Sequence, residues 1–222
     1  MPVVTIRGQL GSGAREVGRL IAENLHVDYV DREIIAEVAT RLHREEEEVI
    51  EKEIPPSGFL SRIAEALGQS YGFADGFDGA YLSIAQMPLD DTRYIKALES
   101  VVKELVRDKQ LVILGRGSQF ILKDYPGILH VLVVAPFEVR LKRVMEDLTL
   151  DRETAKKEIV RSDSSTREFV KRYFRAELED PIYYDLVINT EHIGFQAASS
   201  MVLNALSLKE PPPTQQGDFE TI

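Results

Sequence analysis

The fold is decided by the stretch Val3-Val4-Thr5-Ile6-Arg7-Gly8-Gln9-Leu10-Gly11-Ser12-Gly13, which runs on through Ala14-Arg15-Glu16-Val17 to Leu25. A short run of apolar, β-branched residues is followed by three glycines within six residues. A segment with the periodicity of an amphipathic helix comes directly after them. A strand, a glycine-rich turn and a helix start together place backbone N–H groups around an anion. The stretch therefore predicts a phosphate-binding loop, with a plain strand-to-helix turn as the alternative.

The end of this loop departs from the usual phosphate-loop pattern. Ala14 stands where the pattern has lysine, and Arg15 follows it. Arg15 could supply the missing cation, although a guanidinium fork is bulkier than an ammonium and binds phosphate through two nitrogens. It could equally be a solvated residue of the first helical turn. Ser12 offers a hydroxyl, but not where the pattern places its metal ligand.

The composition is that of an ordinary globular protein, since 44% of the 222 residues are hydrophobic and 29% are charged. The absence of cysteine excludes disulfides and thiolate metal sites, and the four histidines are scattered, so we assign no metal ligand. The net charge of −10 argues against binding to nucleic acids or anionic membranes. Because no signal sequence or membrane-length apolar run is present, we expect a cytoplasmic location. The oligomeric state is left open.

Strand and helix patterns alternate along the chain, which predicts a mostly parallel sheet with helices on both faces. We predict strands at 3–6, 26–30, 111–114, 128–134 and 186–189, and helices at 15–25, 91–109, 119–123, 137–147, 151–160 and 195–208. Residues 45–90 begin with an acidic run, are interrupted by prolines and then show no clear helix or strand periodicity. This pattern indicates an insertion into one domain that spans 1–208. The proline-rich, polar residues 209–222 are predicted to form a disordered tail.

Three of the predicted strands end in turns that carry glycines or charged residues. These turns are the loop 8–13, the pair Asp31-Arg32 and the triplet Gly115-Arg116-Gly117. Ligands of open α/β sheets bind at the carboxyl ends of the strands. We therefore expect the three turns to line one site, although Asp31 also suits a helix N-cap and Arg116 also suits a structural ion pair.

Further arginines follow in the second half of the chain. Arg140 and Arg143 lie three residues apart on one helix face, a spacing most often found on a solvated face. The charge-dense segment with Arg161, Asp163 and Arg167 predicts a mobile part of the chain whose cations close over phosphates. Phosphoryl transfer needs such neutralisation of spread negative charge.

Together these residues resemble the cytidylate kinase-like family, a branch of the nucleoside monophosphate kinases within the P-loop fold. The resemblance is carried by Gly8-Gln9-Leu10-Gly11-Ser12-Gly13-Ala14-Arg15-Glu16-Val17-Gly18, Tyr29-Val30-Asp31-Arg32-Glu33-Ile34-Ile35, Val112-Ile113-Leu114-Gly115-Arg116-Gly117 and Asp180-Pro181-Ile182-Tyr183-Tyr184-Asp185-Leu186-Val187-Ile188-Asn189-Thr190. It implies a P-loop α/β/α fold with a parallel sheet, a helical insertion and a lid segment. It also implies transfer of the ATP γ-phosphoryl group to CMP or dCMP, with Mg²⁺ present.

The resemblance also implies roles for single residues. The ATP phosphates would be held by Gly8, Gly11, Ser12, Gly13, Ala14 and Arg15. Asp31 and Arg32 would face the acceptor or the metal, and Arg116 would hold the acceptor phosphate. The insertion at 45–90 would form the acceptor-binding subdomain.

A lid at 149–176 would carry Arg161, Asp163 and Arg167, with Asp163 on the substrate side. Its two arginines would stabilise the transferred charge together with Arg15. Two alternatives stay open because Ala14 replaces the lysine: a nucleotide-binding sensor or regulatory protein without kinase activity, and a kinase of another small acceptor.

Overall fold

The computed structural model describes residues 3–31, 34, 37–38, 91–107 and 109–209. The predictions for Arg32, for the insertion at 45–90 and for the tail beyond Lys209 lie outside these residues. Within them, the strands and helices follow the predicted alternation.

Five strands form one parallel sheet in the order β2-β3-β1-β4-β5. Their bounds are β1 Val3–Gly8, β2 Asp28–Val30, β3 Leu111–Leu114, β4 Ile128–Val134 and β5 Leu186–Asn189. The central strand β1 pairs Val3 with Leu111 on one side and with Ile128 on the other. Its β-branched residues are buried throughout, as expected of a parallel strand covered on both faces.

The helices are α1 Ala14–Leu25, α2 Asp91–Arg107, α3 Ser118–Ile121, α4 Phe137–Leu148, α5 Arg152–Phe174 and α6 Phe195–Leu208. A 3₁₀ turn, Pro181–Tyr183, precedes β5. The largest correction concerns α5, which was predicted to span 151–160 and instead is 23 residues long and ends at Phe174. Asp151 caps it by accepting hydrogen bonds from the N–H groups of Glu153 and Thr154.

Two apolar clusters cover the two faces of the sheet. On one face, Val4 and Ile6 of β1 pack with residues of α1 and α6, such as Ile21 and Val202. On the other face, Val3 packs in a cluster with residues of α2, α3 and α5 that include Leu98, Phe120, Phe169 and Val170. The three-layer α/β/α arrangement is therefore confirmed. Among the helices that the structure describes, none combines the length and apolar character needed to cross a membrane.

Because all strands are parallel, their carboxyl ends meet at one edge of the sheet. The three neighbouring strands β2, β3 and β1 end there in Asp31, in residues 115–117 and in residues 8–13. The sheet order thus brings the three predicted turns side by side.

Candidate functional site

Residues 8–13, the glycine loop, join β1 to α1 with a backbone that demands glycine. Gly11 and Gly13 have φ values of 78° and 84°, in the left-handed region. A Cβ on Gly8 would lie 2.2 Å from the Cβ of Ala14, and one on Gly13 would lie 2.2 Å from a ring carbon of Phe195. Gly13 also has no side chain to cap the first N–H groups of α1, which lack partners inside the helix. These amides are therefore the donors that the loop offers to an anion.

The backbone of Ser12 makes hydrogen bonds that stabilise the glycine loop. Its side chain is fully buried, and its N–H donates to the carbonyl of Gln9 at 2.9 Å. Its own carbonyl accepts from the hydroxyl of Thr190 at 2.6 Å. These backbone contacts hold the loop in place, and the predicted contact of Ser12 to ATP phosphates stays a prediction.

The carbonyl groups of the glycine loop are held from behind by two arginines of α4. Arg140 Nη1 donates to the carbonyl of Leu10, and Arg143 Nη1 donates to those of Gly11 and Ser12, each at 3.3 Å. A peptide carbonyl and the N–H of the same peptide plane point in opposite directions. Holding the carbonyls on the α4 side therefore turns N–H groups of the loop away from α4.

Arg143 is itself fixed by its neighbours. Its guanidinium donates to the hydroxyl of Thr190 at 2.9 Å and to the carbonyl of Thr190 at 2.8 Å, and it lies 5.0 Å from the centre of the Phe195 ring. Arg140 is buried as well. The expectation of a solvated face for these two arginines is wrong, because the helix after β4 packs its arginines against the glycine loop.

Arg15 lines the space in front of the glycine loop and is paired with a carboxylate at the sheet edge, so its predicted contact to phosphate stays a prediction. Its Nη2 lies 3.1 Å from Oδ2 of Asp31, while Arg116 Nη2 lies 3.9 Å from Oδ1 of the same carboxylate. All three side chains are largely buried. Asp31 thus joins the end of β2 to the start of α1 and to the end of β3, and it holds two guanidinium groups beside the glycine loop.

Residues 115–117, the arginine turn, carry a strained backbone. Gly115, Arg116 and Gly117 all have positive φ values, and that of Arg116 is 58°. A non-glycine residue in this region costs about 1 kcal/mol or more, and such strain concentrates at functional sites. A Cβ on Gly117 would lie 2.4 Å from the ring of Phe174, so this glycine lets α5 pack directly on the turn.

The predicted lid residues lie on α5, where they make ion pairs within the protein. Asp163, which was predicted to lie on the substrate side, accepts two hydrogen bonds from Arg140, at 3.0 and 2.9 Å. Arg167 lies 3.9 Å from Asp163 and 3.5 Å from Glu179. Arg161 lies near buried Glu158, whose pKa is raised by burial while Arg161 opposes the shift. The predicted closure of Arg161 and Arg167 over phosphates stays a prediction.

Two chains of contacts instead tie α5 to the glycine loop. One runs from Asp163 through Arg140 to the carbonyl of Leu10. The other runs from Arg167 through Glu179 to the side-chain amide of Gln9, which donates to that carboxylate at 3.0 Å. A movement of α5 would therefore displace residues of the glycine loop.

A cavity of about 470 Å³ opens in front of the glycine loop, a size suited to a small ligand. Its walls include the loop, Arg15, Arg143 and Phe195, and also the carboxylates of Glu16, Glu146 and Asp147. Burial raises the pKa of Asp147, as do Glu16 and Glu146, while Arg143 opposes them. Mixed charge at this mouth leaves the backbone amides as the main anion donors of the loop.

Sequence reasoning missed the contacts of Arg140, Arg143 and Thr190 with the glycine loop, and it assigned no role to Arg7. Arg7 is the last side chain of β1 before the glycines and is 5% exposed. The sequence does carry a signal for Arg7, because a charged residue inside an otherwise apolar central strand must face a polar group or a ligand. No local signal marks Thr190, whose role depends on β5 ending beside β4.

Comparison with known proteins identifies the family. Residues 3–192 match the cytidylate kinase-like family. The chain is 23% identical to the cytidylate kinase of Sulfolobus acidocaldarius over 207 residues, 93% of this chain and 94% of that protein. It is 25% identical to the cytidylate kinase of Methanothermobacter thermautotrophicus over 197 residues, 88% and 99% of the two chains.

A solved structure of an uncharacterized protein from Eubacterium ventriosum superimposes with a TM-score of 0.67 at 17% identity, covering 94% of this chain and 99% of that one. This likeness shows a shared fold. The family match spans most of the chain, including the glycine loop, Asp31, the arginine turn and α5. The protein therefore belongs to the cytidylate kinase-like family.

Proposed function

We propose that this protein is a phosphotransferase that moves the γ-phosphoryl group of ATP to CMP or dCMP. The observation that carries the proposal is the shared sheet edge, where the glycine loop with its cavity lies beside Asp31, Arg15 and Arg116. Two anionic substrates need two neighbouring anion sites, and phosphoryl transfer depends mainly on positioning and charge stabilisation. Family membership supports the same reaction class.

On the donor side, the N–H groups at the start of α1 would bind the ATP phosphates. Gly8, Gly11 and Gly13 let the backbone approach closely, and Ala14 leaves the lysine position without a cation. Arg15 would contribute its charge from beside Asp31, and it would reach the phosphates only by exchanging that carboxylate for them.

Mg²⁺ would accompany ATP. Carboxylate and phosphate oxygens are its preferred ligands, and it commonly takes only one or two from the protein. Asp31 is the carboxylate at the sheet edge that fits this need, and the described residues contain no group of three candidate metal ligands. Bound Mg²⁺ would neutralise charge on the transferred phosphoryl group.

On the acceptor side, Arg116 would bind the phosphate of the monophosphate, aided by Arg32. An oxygen of that phosphate would attack the γ-phosphorus in line, and ADP would leave without a covalent intermediate on the protein. Helix α5 with Arg161 and Arg167 would close over the site and exclude water, and Asp163 would transmit that closure to the loop through Arg140. We expect the protein to act on soluble nucleotides in the cytoplasm.

A coupled assay with ATP, Mg²⁺ and a panel of nucleoside monophosphates tests the proposal. We expect diphosphate formation with CMP and dCMP ahead of the other acceptors. Absence of turnover with every acceptor, in protein shown to be folded by circular dichroism, would reject it. Turnover only after the panel is widened to other metabolites would instead identify a kinase of another small acceptor.

The second candidate is a nucleotide-binding sensor or regulatory protein without kinase activity. It is favoured by one observation, the pairing of Arg15 with Asp31, which leaves the lysine position of the loop without a side-chain cation. Calorimetry that finds nucleotide binding without turnover would support it. In that case Ala14→Lys is informative, since a gain of activity would show that the rest of the site is competent.

A further inference from the structure

A second cavity lies at the carboxyl ends of β1 and β3, between these strands and α5. Its lining includes Arg7 and Arg116, the uncharged polar residues Gln119 and Thr166, and Phe169. Side chains alternate along a strand, so Arg7 projects to the same face as Val3, whose cluster includes residues of α5. Two guanidinium groups from adjacent strand ends therefore meet in one enclosed space.

Both arginines are buried more deeply than charged side chains ordinarily are. Arg7 is 5% exposed and Arg116 is 2% exposed. Arg116 additionally holds a left-handed backbone between two glycines. Burial of charge and backbone strain both cost free energy, and both converge on this one cavity. Such a combination is expected where guanidinium groups recognise an oxyanion through paired hydrogen bonds.

Tyr184, one polar neighbour of Arg7, is uncharged at neutral pH. Burial raises the pKa of Tyr184 to about 12, although Arg7 acts to lower it. The Tyr184 hydroxyl donates to the carbonyl of Leu178 at 2.6 Å and accepts from the side-chain amide of Gln119 at 3.1 Å. Tyr184 and Gln119 thus satisfy each other and fix one wall of the cavity.

We propose that Arg7 and Arg116 together form an anion subsite that binds the phosphate of the acceptor. The inference rests on the proposed function in taking the acceptor to be a phosphate monoester. Arg7 then sets specificity, because a second guanidinium favours a phosphorylated acceptor over the corresponding neutral nucleoside.

The subsite is tightly covered in this structure. The cavity has a volume of about 10 Å³, room for about one water molecule. A phosphate group fits only if the part of α5 around Thr166 and Phe169 moves outward. Acceptor binding is therefore coupled to the position of α5, the helix that also contacts the glycine loop through Asp163 and Arg140.

The test compares ligand affinities by isothermal calorimetry in the full-length protein, its Arg7→Gln and Arg7→Lys variants, and Arg107→Gln. Arg107 is the matched control, an exposed arginine at the end of α2, near the opposite edge of the sheet. We expect Arg7→Gln to weaken CMP binding by about 10- to 100-fold, as for loss of a charged hydrogen-bond donor. Cytidine and ATP affinities should change by less than about 2-fold, and Arg7→Lys should recover part of the loss.

Equal loss of CMP, cytidine and ATP binding in the Arg7 variants would overturn the inference, because it would indicate a structural role. Unchanged CMP binding in folded Arg7→Lys would overturn it as well. If Arg7→Gln does not fold, the test uses Arg7→Lys instead. The thermal shift that inorganic phosphate produces is then compared between this variant and the wild type.

Failure of the proposed function gives a different result. If the wild type turns over no acceptor while phosphate binding still depends on Arg7, the subsite stands and the kinase proposal falls. If CMP is turned over and Arg7 variants bind it normally, only the subsite falls.

Discussion

The glycine loop and the arginine turn end adjacent strands of the same sheet, yet they are built in opposite ways. The glycine loop presents backbone, and the arginines near it, Arg140 and Arg143, hold its carbonyls from behind. The arginine turn presents a side chain, since two glycines at positive φ carry Arg116 into a buried cavity. One turn offers oriented amides, and the other offers a guanidinium group.

This difference explains how the fold tolerates Ala14 in the lysine position. Cationic charge is concentrated at the arginine turn, with Arg116 and Arg7, while the loop relies on N–H groups whose orientation is fixed by the carbonyl contacts. Asp31 lies between the two regions and contacts Arg15 and Arg116. The comparison supports our proposal that the amides bind the donor phosphates and the guanidinium groups bind the acceptor phosphate.

The largest expected effect comes from removing the cation of the arginine turn. Arg116→Gln should lower kcat/KM for CMP by about 100- to 1000-fold, comparable to loss of one preorganised donor to a developing charge. Steady-state kinetics at saturating ATP measures it. Arg107→Gln serves as the control, and an Arg116→Gln enzyme with wild-type kinetics would remove the arginine turn from the site.

The next effect concerns the two glycines that face aromatic rings. Gly13→Ala and Gly117→Ala each combine a positive φ with a Cβ within 2.4 Å of a ring, of Phe195 and Phe174 respectively. We expect each to lower the free energy of unfolding by about 3 kcal/mol, the sum of backbone strain and overpacking. Urea denaturation measures the loss.

Gly127→Ala is the matched control for these two variants. Gly127 has a φ of 78° with open space where a Cβ would lie, so its loss should be limited to about 1 kcal/mol of strain. Equal losses at Gly13, Gly117 and Gly127 would show that neither ring constrains its turn.

The sequence predicted the part of this comparison that local patterns carry. Apolar β-branched runs marked the strands, glycines marked the turns, and the parallel arrangement followed from the strand–helix alternation. The long α5 was missed because its middle is dense in charge, while its aromatic anchors Phe169, Tyr173 and Phe174 are placed only by tertiary packing. The loop contacts of Arg143 and the pairing of Arg15 with Asp31 likewise depend on segments distant in sequence.

A smaller effect is expected when the loop loses its rear contacts. Arg143→Gln removes donors to the carbonyls of Gly11, Ser12 and Thr190 and should weaken ATP binding by about 10- to 30-fold, since charged hydrogen bonds contribute about 1.5 to 2 kcal/mol. CMP binding should stay within about 2-fold. Isothermal calorimetry with each nucleotide reads the two affinities, and a loss of CMP binding alone would reverse the assignment of the two regions.

An effect on stability alone is expected from His130 on β4, outside both turns. Burial lowers the pKa of His130 from 6.5 to about 4, with Lys209 acting in the same direction and Asp185 opposing, and its Nδ1 lies 2.7 Å from the hydroxyl of Thr5. The folded state keeps this imidazole neutral, whereas the unfolded chain takes up a proton below pH 6.5. Stability should therefore fall by about 2 kcal/mol between pH 7 and pH 5.

Urea denaturation of the wild type and of His130→Gln checks this prediction. The glutamine variant should show a flatter dependence on pH over the same interval. An identical slope in both proteins would assign the loss to other groups. The result also provides the stability background against which any pH effect on nucleotide binding is read.

The most direct test of the division between amides and guanidinium groups is a crossed titration of ATP and CMP into Arg143→Gln and Arg116→Gln. The account predicts that the first variant loses affinity for ATP and keeps it for CMP, while the second loses affinity for CMP and keeps it for ATP. Parallel losses of both nucleotides in both variants, in protein that remains folded, would contradict it.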